Sequence, residues 1–231
     1  MVQDKKIAER IAHVRQRVDA AAGRAGRHPD SITVMAVTKT VGADYVEAAL
    51  RAGIEVVGEN RVQEAESKRD QITEPARWHL IGQLQGNKAR LAVAVFDAIH
   101  SIGRLSLARR VASAARTREQ HLEVYVQVEF VRRKISEADI FKETRSLCAE
   151  LTMAPQIRLC GLMTLPPFSP DPEDARPYFV RLRRLRDRIT AIESDVDLPG
   201  LSMGMTSDFE VAIEEGSTIV RVGTAIFGQR T

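Results

Sequence analysis

Two cysteines, nine prolines and an aromatic share of 5% are the scarcities of this 231-residue chain. Cys148 and Cys160 have no C-x-x-C spacing, so neither a disulfide framework nor a zinc site is expected. Cys160, inside Leu159-Cys160-Gly161-Leu162-Met163, reads as a free core thiol. The low aromatic content argues against a base-stacking surface. No apolar run approaches the roughly 20 residues that span a bilayer, and no apolar segment of a secretory signal follows Met1-Val2-Gln3-Asp4-Lys5-Lys6. A cytoplasmic location without membrane attachment is therefore expected. A nucleophile-elbow serine and a dinucleotide glycine fingerprint are both missing. His79 and His100 lack the i, i+4 spacing and acidic companions of a metal site, so hydrogen bonding in the core or at its mouth is their expected role.

Charge of one sign is also in short supply. The formal net charge of +3 is too mild for a nucleic-acid footprint unless it is clustered. One cluster exists, Arg181, Arg183, Arg184, Arg186 and Arg188, but Leu182, Leu185, Ile189 and Ile192 run through it at helical spacing. That pattern predicts an amphipathic helix with a solvated basic face, the alternative being a patch for an anionic partner.

What the chain has is a regular alternation. Hydrophobic residues at 44% and charged residues at 28% are ordinary for a globular domain. Ile7, Ile11, Val14 and Val18 mark one face of an N-terminal helix over about residues 3–24. From residue 31 to about 229, β-type runs then alternate with helical stretches: 32–39, 54–57, 78–83, 98–102, 124–128, 157–164, 198–203 and 218–222. Eight such units in this length predict one domain, a single (β/α)8 TIM-type barrel with an extra N-terminal helix, although an open doubly wound sheet gives the same local pattern.

In a parallel barrel the active groups gather at the C-terminal ends of the strands. The run Ile32-Thr33-Val34-Met35-Ala36-Val37-Thr38-Lys39 ends in a lysine, and a partly desolvated lysine amine can form an imine with an aldehyde. Both Schiff-base aldolases and pyridoxal phosphate proteins use that chemistry. Small and hydroxyl residues in Ser202-Met203-Gly204-Met205-Thr206-Ser207-Asp208 and in Gly223-Thr224 suit an anion such as a phosphate, unless the glycines serve only as turns. Arg221 shares side-chain parity with Gly223 and is placed either to form an ion pair at the mouth or to meet a ring nitrogen. An arginine cannot accept a proton, so it would keep a pyridine nitrogen unprotonated and the cofactor a poor electron sink.

Several segments together resemble the pyridoxal phosphate homeostasis proteins, which are similar in fold to the N-terminal domain of alanine racemase. They are Ala36-Val37-Thr38-Lys39, Gly58-Glu59-Asn60-Arg61-Val62-Gln63-Glu64, His79-Leu80-Ile81-Gly82-Gln83-Leu84-Gln85-Gly86-Asn87-Lys88, Gly161-Leu162-Met163-Thr164, Ser202-Met203-Gly204-Met205 and Arg221-Val222-Gly223-Thr224-Ala225-Ile226-Phe227-Gly228. The resemblance implies that Lys39 carries pyridoxal 5′-phosphate (PLP) as a covalent aldimine with Asn60 beside it. It further implies that Ser202, Gly223 and Thr224 hold the phosphate, that Met203 and Gly204 belong to the same cofactor-binding turn, and that Arg221 faces the pyridine nitrogen. Family members bind PLP in vitamin B6 homeostasis with no established reaction, so no catalytic residue and no metal are expected. PLP-dependent apo-enzymes are the implied recipients, and a monomer is the expected state. The rival expectation is a PLP-dependent amino-acid racemase-like enzyme, which would need a second base that an additional domain supplies in the similar fold; a Schiff-base aldolase fits the motif set less well. Two departures from the family stand out. Residues 127–136 replace an asparagine and a Lys-x-Gly element, and Gly103 stands where an acidic residue commonly follows His100-Ser101.

Overall fold

The β-type runs pair in chain order into a closed parallel barrel, the last strand returning to the first. This computed structural model describes residues 2–131 and 136–229. The strands are β1 (Thr33–Val37), β2 (Val56–Glu59), β3 (Arg77–Leu80), β4 (Ala98–Ile102), β5 (Leu122–Gln127), β6 (Ile157–Met163), β7 (Gly200–Met205) and β8 (Ile219–Val222). The helices are α1 (Val2–Arg24), α2 (Ala43–Arg51), α3 (Val62–Arg69), α4 (Ala89–Val95), α5 (Leu105–Ala115), α6 (Glu137–Thr152), α7 (Arg176–Ile192), α8 (Phe209–Glu214) and α9 (Thr224–Phe227). The closed topology excludes the open-sheet alternative. Of these, α9 was not legible in the sequence, because a single turn is too short to show a period. The departure at residues 132–135 lies outside the described residues.

Two expected strands prove shorter, for local reasons. The ladder of β1 stops at Val37 although the β-type run continues to Lys39: Thr38 N–H still donates to Gly58 O at 2.9 Å, but its carbonyl accepts from Val41 N–H at 3.0 Å, in a turn, and from the Lys68 ammonium at 2.6 Å. β3 ends at Leu80 because the chain beyond it presses on the turn after β2. A Cβ on Gly82 would stand 2.2 Å from Asn60 O, a distance no side chain tolerates.

Alternation along the strands divides the interior. Met35, Val56, Tyr125, Cys160, Met163 and Ile219 form an apolar cluster inside the barrel, while Ala36, Val57, Ile99, Val124, Leu162 and Val220 face the helices. The strand β1 thus turns Met35 inward and Ala36 outward, as its parity requires. Burial pushes the Cys148 thiol up to about 12 and the Cys160 thiol up to about 11, which keeps both free cysteines protonated and unreactive.

The helix α1 packs against α2, α8 and α9, covering the seam where β8 meets β1. Its anticipated face, Ile7, Ile11, Val14 and Val18, is buried throughout. Arg17 grips Glu210 through two hydrogen bonds of 2.9 and 2.8 Å, and Arg27 Nη1 donates to Ile213 O at 2.9 Å, satisfying a carbonyl at the end of α8. The arginine-rich face of α7 is likewise engaged within the chain. Arg183 pairs with Glu215, Arg181 with Glu137 on α6, and the Arg181 and Arg188 guanidiniums lie over the rings of Phe130 and Phe141 at 4.3 and 3.9 Å. Among the described residues no helix is long and apolar enough to cross a membrane.

Ile11 is only 1% exposed. Ile11→Ala is therefore expected to cost about 2–5 kcal/mol, read as a fall in the urea midpoint with an unchanged slope, whereas an effect below about 0.5 kcal/mol would show that α1 is not part of the cooperative core.

Candidate functional site

A cavity of about 1100 Å³ opens at the C-terminal ends of the strands, and Lys39, Asn60, Arg221, Gly223 and Thr224 all stand on its wall. The structure therefore gathers five of the eight residues singled out in the sequence. Strand parity keeps the other three off the wall. Ser202 points into the barrel but is fully buried beneath Arg221, donating no atom to the cavity surface. Met203 points the opposite way, into the layer between sheet and helices. Gly204 turns the chain at φ +92°, where a Cβ would lie 2.6 Å from that of Ala212. The loop immediately beyond, Met205, Thr206 and Ser207, lines the cavity instead. Asp208 does not cap α8 with its side chain; its Oδ1 accepts from Met205 N–H at 2.6 Å and folds this loop back.

Lys39 makes no hydrogen bond or ion pair among the described residues, while the residues on both sides of it are pinned. Behind it lies the buried ammonium of Lys68, which donates to Thr38 O at 2.6 Å, to Glu59 Oε1 at 2.7 Å and to Glu64 Oε1 at 2.7 Å. Thr38 Oγ1 donates to Glu59 Oε1 at 2.7 Å, and Thr40 N–H donates to Glu64 Oε1 at 2.5 Å. Thr40 is the only non-glycine with a positive φ among the described residues, at +59°, an unfavourable conformation for a β-branched residue. Glu64 is what holds it there. Burial pushes the Glu59 carboxyl up, opposed by its bonds from Lys68 and Thr38. At Glu64 burial acts in the same upward sense, but the bonds from Lys68 and Thr40 outweigh it and hold the group below the ordinary carboxylate range.

Across the cavity, Arg221 is 3% exposed and makes no direct contact with a carboxylate among the described residues. Its Nη1 donates to Ser202 O at 2.7 Å and Ser202 Oγ at 2.8 Å, and its Nη2 donates to Thr164 O at 2.9 Å. Burial pushes its guanidinium down to about 10, partly offset by the nearby charge of Asp208, and it remains cationic at neutral pH. A guanidinium has five N–H donors, and two of them are left without an acceptor among the described residues.

A chain of polar contacts continues below the guanidinium. Ser202 Oγ lies 2.9 Å from His100 Nδ1, and His100 Nε2 lies 3.0 Å from His79 Nδ1. Arg221 only donates, so Ser202 Oγ accepts from it, and the two imidazoles continue the contact into the barrel interior, where His79 Nε2 has no hydrogen-bond partner among the described residues. Both imidazoles are neutral: burial lowers His79 to about 3, and burial, with help from His79 and Arg221, lowers His100 well below the usual range. The Tyr125 ring stacks on His100 at 4.2 Å between centroids. The two histidines thus do what their lack of metal spacing led us to expect; among the described residues no group of three His, Cys, Asp or Glu is placed to hold a metal.

This wall suits an aldehyde-bearing phosphate ester. It offers a free amine on a rigid seat, a donor-only cation opposite, and a run of hydroxyls and backbone amides in which Gly223 N–H already reaches Thr206 Oγ1 at 3.3 Å. Its mouth is apolar, with Phe168 81% and Val131 53% exposed. Sequence reading found Lys39 and Arg221 but not Lys68, Glu59 or Glu64, whose roles depend on α3 folding back over the end of β1. A carboxylate ending the apolar run Val56-Val57-Gly58-Glu59 was the one available signal.

Residues 10–231 match the family model described as alanine racemase, N-terminal domain. A protein of Aquifex aeolicus named pyridoxal phosphate homeostasis protein is 40% identical over 226 residues, covering 96% of this chain and 97% of its own. The Escherichia coli protein of the same name is 38% identical, with 97% of each chain covered. Among solved structures, PipY of Synechococcus elongatus with PLP bound superposes with a TM-score of 0.83 at 34% identity, covering 96% of this chain and all of that one.

Two measurements check the site as described. Replacing Lys68 by Met removes the cation shared by Glu59, Glu64 and Thr38, and a loss of about 3–5 kcal/mol in urea stability is expected; a change under about 1 kcal/mol would contradict the network. The histidines, with folded pKa values below the unfolded value near 6.5, contribute stability that is complete above pH ~6.5 and declines as the pH falls toward 3. The expected loss is about 1.4 kcal/mol per pH unit for each histidine, and a flat stability between pH 6.5 and 5 would show that they are not held neutral.

Proposed function

Since the chain belongs to the pyridoxal phosphate homeostasis protein family, we propose that it holds PLP in this cavity and serves vitamin B6 homeostasis in the cytoplasm. The observation that carries the reading is the unpaired Lys39 amine, seated between pinned neighbours and opposite the partly unsatisfied Arg221. When bound, PLP supplies an electrophilic aldehyde. Lys39 Nζ holds it covalently as an aldimine, with loss of water, and Asn60 lies beside that bond. Gly223, Thr224 and the 205–207 loop receive the phosphate, largely through backbone N–H groups, with Ser202, Met203 and Gly204 shaping the strand end that carries the loop.

Arg221 faces the pyridine nitrogen and cannot give up a proton to it, so the ring stays neutral and withdraws electrons weakly. Apart from Lys39, no lysine, histidine, tyrosine or cysteine lines the cavity among the described residues, and Glu129 is its one carboxylate. Both features favour retention over turnover, so the chain stores and delivers the cofactor, as a monomer, to PLP-dependent apo-enzymes.

Purified protein incubated with PLP is expected to absorb visible light, to lose that band on borohydride treatment with the label fixed at Lys39, and to show neither effect as Lys39→Ala. A wild type that stays colourless would sink the cofactor reading, and rapid Cα deuterium exchange in a panel of amino acids would replace it with a racemase-like enzyme. Thr224→Ala is expected to form the same band but to release PLP several-fold faster on dialysis; complete loss of the band would place Thr224 in the covalent step.

A further inference from the structure

The turn that ends β7 carries a negative charge of its own. Met205 O accepts from Asp208 N–H at 3.1 Å, and Asp208 Oδ1 accepts from Met205 N–H at 2.6 Å, so the carboxylate closes the turn from within. Thr206 and Ser207, at its tip, stand on the wall of the main cavity, whereas Asp208 is 5% exposed and stays off that wall. The segment proposed to receive the phosphate is thus built over a buried anion.

That anion acts in two ways. It occupies the Met205 amide, which is then not free to donate to a bound phosphate. Met205 also pairs with Arg221 across the β7–β8 ladder, which places the carboxylate near the buried guanidinium without touching it. Burial pushes the Asp208 carboxyl up, while the Met205 amide and the Arg221 charge oppose the rise. In return, Asp208 holds the Arg221 guanidinium up against its own burial. Part of the positive potential that Arg221 sends toward the cavity is therefore cancelled. The shape of the turn needs an acceptor but no charge, since a neutral amide oxygen accepts the same N–H.

On the PLP reading above, we propose that Asp208 limits the affinity of this site for a phosphate ester: its charge, set beneath Met205-Thr206-Ser207, opposes the bound phosphate and partly cancels Arg221, so that PLP is held loosely enough to be passed on. A residue that only shaped the turn would behave differently. Its loss would weaken PLP, or would change ligands with and without a phosphate alike. Opposition between charges acts through the phosphate alone, and its removal tightens binding.

The test is spectroscopic titration of the full-length chain at about pH 8, where carboxylate and phosphate are both ionised. The probes are PLP and pyridoxal, which keeps the aldehyde and lacks the phosphate. Asp208→Asn retains an oxygen for Met205 N–H and removes the charge; Asp208→Ser, with a smaller neutral acceptor, makes the same comparison if the amide is not tolerated. PLP is expected to bind about tenfold more tightly to a folded variant than to the wild type, while pyridoxal changes by less than about twofold. Unchanged or weaker PLP binding in the variants, or an equal gain for pyridoxal, would overturn the proposal and leave the PLP reading standing. A wild type that binds neither aldehyde would overturn both.

Discussion

The ammonium of Lys68 is the constraint on which the reactive end of this barrel depends. A buried cation is expensive unless it is paired and hydrogen-bonded, and here one nitrogen meets two carboxylates and a backbone carbonyl within 2.7 Å. Those bonds help end β1, since the carbonyl of Thr38 turns out of the sheet to accept from both Lys68 and Val41 N–H. They also set the course of the chain just past Lys39, because Glu64, oriented by the same ammonium, accepts from Thr40 and stabilises its left-handed backbone. Lys39 sits between these two fixed points. Its backbone has little freedom although its side chain has all of its own, which is the arrangement an imine-forming amine requires.

A second buried cation organises the opposite wall on a different principle. Arg221 has no contacting carboxylate and is solvated instead by carbonyl and hydroxyl oxygens of β7 and of Thr164, just past the end of β6. Below it Ser202, His100 and His79 form a connected polar chain in which burial keeps both imidazoles neutral. The interior of the barrel is therefore apolar around Met35, Val56 and Ile219, and polar along one seam that supports the arginine from below.

The strand order was legible because eight β-type runs alternate with helical ones, and the mouth residues because strand ends can be read from where apolar runs break. Lys39 and Arg221 were found that way. The assignment of Ser202, Met203 and Gly204 to a single cofactor turn was coarser, since neighbouring residues on a strand face opposite sides: one lies under the arginine, one among the helices, and the third bends the chain. Lys68 carries no signal in one dimension. It stands on a polar helix among other charges, and only the packing of α3 against the end of β1 makes it a buried group. The register shift of β4 at His100-Ser101 was equally hidden, because a bulge keeps the composition of a strand while changing where its side chains point.

These parts together bear on which charge the wall opposite Lys39 can carry. An amine that forms an imine is sufficient for capture, whereas carbanion chemistry also needs a second group to move the proton and is helped by a protonated ring nitrogen. The seam beneath Arg221 resists an acid in its place: a carboxylate there would set an anion over two imidazoles now kept neutral. Protonation of His100 would then be favoured, drawing a second buried charge into the barrel. The neutral imidazoles and the cationic arginine thus stabilise each other, so the charge of this wall is set by the barrel's polar seam as well as by Arg221 itself.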